Sequence, residues 1–200
     1  MPIKIKMPGP KARERAFAPY ALELGKLTFS WNHLHEALAQ LFWETTGIAN
    51  GAIALAIWHS TPSDRSQRQM LRAAADQRFA HDARAHKAIM WLLKKTDHAL
   101  SGGRNDAIHA PLILTVEGDE IRYEPFDHQN NPRAQSLRGK DLLIHLQLWQ
   151  QQAEVLRHYA VAIRRAILRP EHSPWPDEPT WPTLGQQKAR TKMPRARSGG

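Results

Sequence analysis

The chain has 200 residues, enough for one ordinary domain with tails, and a core of that size folds without disulfide or metal support. It contains no cysteine, which excludes a disulfide framework, a thiolate metal site and nucleophilic cysteine chemistry. The formal charge of +9 resides in the two ends: residues 1–15 carry five basic groups against one acid, residues 186–200 carry five against none, and residues 16–185 are formally neutral. Such ends read as solvated extensions, although they could attract RNA, DNA or an acidic partner in a salt-dependent way. The longest apolar run, GIANGAIALAIW at 47–58, falls short of the roughly 20 residues that cross a bilayer. The start MPIKIKMPGPKARER lacks the apolar stretch of a secretory signal, so a cytoplasmic protein with no membrane partner is expected.

From Leu22 to Thr46 the positions Leu24, Leu27, Trp31, Leu34, Leu38 and Leu41 recur at steps of three and four, one face of an amphipathic helix. Gly47 and Gly51 interrupt it. Residues 52–58 predict a short apolar helix, and the turn HSTPSD at 59–64 offers Ser63 or Asp64 as a cap for the next one, whose inner face holds Met70, Leu71, Ala74 and Phe79. From about Ala83 a further helix buries Ala85, Ile89, Leu92, Leu93, Thr96 and Leu100 and is expected to stop at Ser101, Gly102 and Gly103.

The stretch GGRNDAIHAP follows at 102–111, and after it LILTVEGDEIRYEP predicts a small hairpin over about 112–123. The loop FDHQNNPRAQ leads into a last long segment, 137–169, where Leu142, Leu146, Trp149, Ala153, Leu156, Ala160, Ile163 and Ile167 form one seam. The expected fold class is mainly all-α: a four- to five-helix bundle with a small β-hairpin insertion and disordered tails. The expected boundaries are a disordered basic arm at 1–15, a bundle domain at 16–169, and a tail at 170–200 too rich in proline and charge to bury much surface. Two Trp-Pro pairs, at 175–176 and 181–182, can dock in a partner groove or, as expected for two tryptophans, fold back on the bundle.

His33 and His35 in NHLHE stand two apart on a helix and point about 200° apart, so they cannot share a metal ion there. His81, Asp82 and His86 lack an evident third ligand. No Gly-rich phosphate loop, nucleophile elbow or HExxH pattern occurs. Neither a metal nor a cofactor is therefore expected.

The polar cluster Arg104, Asn105 and His109 is the candidate site. Arginine-to-histidine spacing alone is not evidence, because Arg122/His128, Arg138/His145 and Arg165/His172 show similar separations. The setting distinguishes the first pair: an amide follows the arginine, and glycines free the stretch just after a long amphipathic helix. If Asn105 caps a short helical turn closed by Pro111, Asn105 and His109 share a face four apart, with Arg104 able to swing towards them. An imidazole can move a proton to or from a ribose 2′-hydroxyl, while a guanidinium offers a fixed charge and parallel donors to a phosphate. Together they suit metal-independent attack of a 2′-hydroxyl on its own phosphodiester. The same residues have a purely structural reading, in which Arg104 pairs with Asp106 or a helix end, Asn105 caps and His109 closes a turn.

RNDAIHAP after a long helix resembles the motif of the HEPN superfamily: an arginine, commonly followed by Asn, Asp or His, then a histidine after four to six intervening residues. The early helix WNHLHEALAQLFWETTG, followed by a Ser/Arg-rich helix and then the RN…H stretch, is similar to the layout of bacterial HEPN-like proteins, and the likeness covers roughly residues 20–169. The resemblance implies a metal-independent endoribonuclease acting on RNA as a homodimer, with Arg104 and His109 catalytic and Asn105 assisting. It also implies a toxin of a toxin–antitoxin or phage-defence system, with an antitoxin protein as partner. The alternative is a non-catalytic HEPN-like dimerisation or partner-binding module. The hairpin close behind His109, and Ala110-Pro111 in place of the glycine that often follows the histidine, depart from the family pattern.

Overall fold

A computed structural model describes residues 8–117, 120–126 and 131–185. The protein is mostly helical with one small antiparallel hairpin. Among the described residues the order is α1 (Pro10–Thr46), α2 (Gly51–Ser60), α3 (Asp64–Arg78), α4 (Ala83–Ala99), a π-helical turn (Leu100–Arg104), α5 (Asn105–His109), β1 (Leu112–Glu117), β2 (Glu120–Pro125), α6 (Pro132–Leu137) and α7 (Leu142–Leu168). None of these helices is long and apolar enough to cross a membrane. The chain divides into two compact units: the first comprises the described residues of Met1–Leu27, Ser101–Trp149 and Thr183–Gly200, the second Thr28–Leu100 and Gln150–Pro182.

The second unit holds most of the apolar core. Trp31, Leu34, Leu38 and Leu41 of α1, Leu71 of α3, Ile89, Leu92 and Leu93 of α4, and Leu156 and Ile163 of α7 are all buried, as the three-four spacing predicts. Phe42 and Trp58 meet with ring centroids 5.4 Å apart. Buried polar groups are satisfied locally where they can be: the Thr45 and Thr96 hydroxyls donate to the carbonyls of Leu41 and Leu92, each at 2.8 Å. The Gln67 amide donates to the Trp58 carbonyl at 3.0 Å. Ser63 and Asp82 cap α3 and α4 through the amides of Ser66 and Ala85. Gly47 takes φ +66° just beyond α1, a left-handed conformation that a side chain disfavours.

The first unit contains the beginning of α1, the hairpin, α5, α6 and the first two turns of α7. β1 and β2 pair in register from Leu112 opposite Pro125 to Glu117 opposite Glu120. The Phe126 amide donates to the Pro111 carbonyl at 2.7 Å and closes the open end of the hairpin. Tyr123 of β2 packs on Phe17 and Tyr20 of α1, with centroids 5.1 and 6.0 Å apart.

Four expectations are corrected. α1 starts at Pro10, so residues 10–15 of the expected arm are helical. Proline is pre-shaped for a helix start, and the Gly9 carbonyl accepts from the amides of Ala12 and Arg13. The helix expected to end at Gly102 and Gly103 runs on through the π-helical turn into α5. The long helix expected from 137 begins at Leu142, and the loop expected before it carries the short helix α6: α6 is capped by Asn131, Gly139 turns at φ +70°, and Asp141 accepts from the Ile144 amide as α7 begins. The chain from 170 to 182 is held against the second unit rather than left as a disordered tail. Trp175 packs edge-on against Phe79 and Trp181 against Trp91, the folding-back expected of the two Trp-Pro pairs. Residues 1–7 and 186–200 of the expected tails lie outside the described residues.

Candidate functional site

The candidate residues sit where α4 passes through the π-helical turn into α5. A π-turn inserts an extra residue into the helical path and is a common feature of functional sites. Two adjacent glycines would ordinarily weaken a helix here by about 1 kcal/mol each. Packing decides otherwise, because a Cβ on Gly103 would lie 2.4 Å from Cε2 and Nε1 of Trp149, so the backbone and the indole occupy adjoining space that no other residue permits. α5 is further tied down by the Ser136 hydroxyl of α6, which donates to the Asp106 carboxylate at 2.5 Å, and by burial of Ala107 and Ala110.

Arg104 occupies the position before α5 with helical backbone angles, and no side chain caps this helix. Asn105 is therefore not a cap, which corrects that expectation: the chain enters α5 already helical, so no free amides await a capping oxygen. Instead Asn105 Oδ1 accepts a hydrogen bond from Arg104 Nη1 at 3.0 Å. Asn105 and His109 are four apart within α5 and share a face. Arg104 and Asn105 are half-buried, whereas His109 is exposed at the carboxyl end of the helix. The structure thus joins Arg104 to Asn105 directly and places His109 one turn further along the Asn105 face, with no hydrogen bond linking it to either.

Two electrostatic details bear on the chemistry. The Asp106 carboxylate, the neighbour that could have neutralised Arg104, is engaged by Ser136, and Arg104 makes no ion pair among the described residues. Arg104 Nε is buried and has no hydrogen-bond partner there. An unmet buried donor costs about 1–3 kcal/mol.

Two clefts are lined by other residues, which the sequence did not bring together. One, of about 330 Å³ on the second unit, is lined by His33, Glu36 and Gln40 of α1 and by Arg157 and Arg164 of α7. Its arginines are occupied, Arg157 by Glu154 and Arg164 by Glu44, both at 3.0 Å. The other, of about 640 Å³ on the first unit, includes Tyr20, Arg122, Tyr123 and Lys140. Burial raises the Tyr20 phenol above its ordinary pKa, helped by Asp141 and Glu124 and opposed by a backbone hydrogen bond from Tyr123. Helical spacing gave an advance signal only for the first cleft, as in Arg157, Val161 and Arg164.

No protein-family model, no curated protein and no solved structure matches this chain.

Proposed function

We propose that the chain is a metal-independent endoribonuclease of the HEPN type, with Arg104 and His109 catalytic and Asn105 assisting. The observation that carries the reading is a half-buried guanidinium anchored by an amide rather than by a carboxylate, next to a helix face that ends in an exposed imidazole. Asn105 holds one edge of Arg104, and the remaining donors suit the non-bridging oxygens of a phosphodiester. His109 takes the proton of a ribose 2′-hydroxyl as its oxygen attacks the adjacent phosphorus. The bond from phosphorus to the 5′-oxygen breaks, a protonated imidazole supplies that oxygen with a proton, and Arg104 stabilises the charge gathering on phosphorus. A homodimer, in which a second His109 serves as the acid, completes the pair of proton transfers. Use as a toxin or phage-defence nuclease restrained by an antitoxin belongs to the same proposal.

The purified chain should cleave single-stranded or transfer RNA in EDTA, leaving a 2′,3′-cyclic phosphate and a 5′-hydroxyl. His109→Ala should abolish cleavage while retaining the helical circular-dichroism spectrum, and expression of the unsubstituted chain alone should arrest growth. Equal cleavage by His109→Ala refutes the assignment.

A second reading, a non-catalytic dimerisation or partner-binding module, is favoured by Ile53 and Ile57, four apart on α2 and 52% and 44% exposed. It predicts no RNA cleavage at any protein concentration and an oligomeric state unchanged by Arg104→Ala but dissociated by Ile53→Glu.

A further inference from the structure

The 640 Å³ cleft of the first unit draws its side chains from three segments far apart in the chain: Tyr20 of α1, Arg122 and Tyr123 of β2, and Lys140 in the turn before α7. Its volume falls within the roughly 300–1,000 Å³ of small-ligand sites. Two tyrosines, Tyr20 and Tyr123, form its aromatic wall and are half-buried. Tyr123 packs on Tyr20, at 6.0 Å, and on Phe17, at 5.1 Å, both tilted, and Phe17, outside the cleft lining, is 41% exposed. Half-buried rings of this kind leave part of their surface for a nucleobase to stack on, and because every base has a π-face the contact tolerates any sequence.

Charge is arranged around that wall. Lys140 and Arg122 are exposed and line the cleft. Arg13 precedes Phe17 and Tyr20 by four and seven positions and so continues their face of α1. The cleft also holds two acids, which their hydrogen bonds orient but do not discharge: Asp141 Oδ1 accepts from the Ile144 amide at 3.2 Å, and Glu124 Oε2 from the Thr115 hydroxyl at 3.4 Å. Tyr20, with its pKa raised chiefly by burial, stays neutral and sets no charge against an anion.

We propose that this cleft binds a short segment of single-stranded RNA, one base stacking on the Tyr123 wall and the flanking phosphates meeting Lys140 and Arg122. The choice of RNA rests on the ribonuclease reading, since the cleft and Arg104, Asn105 and His109 belong to one compact unit. Selectivity for single strands follows from the stacking, because the bases of a duplex are already stacked on one another.

The test is fluorescence anisotropy of a labelled oligouridylate with the full chain carrying His109→Ala, so that the strand is not cut. In that background Tyr123→Ala should weaken binding about tenfold and Tyr123→Phe should not. Lys140→Gln, an exposed change that leaves the fold alone, should weaken binding about threefold and lower the slope of log affinity against log salt by about one. A duplex of the same length should bind at least tenfold more weakly. Affinities within twofold of the parent for both Tyr123→Ala and Lys140→Gln, or equal affinity for the duplex, would overturn the cleft assignment. The ribonuclease reading fails separately, through absence of His109-dependent cleavage in the unsubstituted chain.

Discussion

Gly103 and Trp149 share a boundary that admits no side chain: a Cβ on the glycine would sit 2.4 Å from the indole. Gly103→Ala should therefore destabilise the protein by about 1–3 kcal/mol, the usual range for forcing a methyl into a packed site. The π-helical turn it belongs to ends at Arg104, so RNA cleavage should fall further than the loss of folded protein explains. A thermal melt paired with activity per folded molecule checks both, and an unchanged melting temperature contradicts the packing argument.

Arg104 is held by an amide and not by a carboxylate. Arg104→Lys keeps the charge but removes the planar fork, and cleavage should drop on the order of a hundredfold. Asp106→Asn should leave catalysis within a few-fold of the parent, because Asp106 serves Ser136. A collapse of activity in Asp106→Asn together with full activity in Arg104→Lys would reverse these roles.

Acid stability should depend on Glu154. Burial opposes its charge, but hydrogen bonds from Ser30 and Arg157 outweigh that and hold the carboxyl below its ordinary 4.5. With the folded pKa below the unfolded one, the stabilisation is complete above pH 4.5 and is lost as the pH falls through the folded value. Ser30→Ala removes one of the bonds and should move the acid-unfolding midpoint to higher pH. An unmoved midpoint in a pH titration followed by circular dichroism would show that the bond does not contribute.

The Trp-Pro segment is part of the folded second unit. Trp181 stands 6.3 Å from Trp91, Lys95 Nζ lies 5.0 Å from its ring centre, and Gln152 donates to the Pro182 carbonyl at 3.1 Å. Trp181→Ala should cost about 1–2 kcal/mol, a fall of about 3–6 °C in melting temperature. Differential scanning calorimetry would read it, and no shift would mean that the segment does not contribute to stability.

Much of this architecture is local and was legible in the residues themselves. A helix that buries one face must repeat its apolar residues every three or four positions, and Ala85, Ile89, Leu92, Leu93, Thr96 and Leu100 do so and are buried. A capping side chain needs only a neighbouring amide, so Ser63 could be named in advance. The hairpin, too, follows from two β-favouring runs about a Gly-containing turn.

Contacts between distant segments were decided by the tertiary structure alone. Gly102 and Gly103 predict a break, yet the helix continues because Trp149 packs where a side chain at 103 would stand. Asp106, two positions after Arg104, is engaged by a serine thirty residues away, while Arg104 bonds to Asn105. The cleft joins Tyr20, Tyr123 and Lys140, which share no spacing rule. Periodicity records how one element meets its surroundings, whereas a site assembled from several elements depends on which of them pack together, and that is settled only when the whole chain has folded.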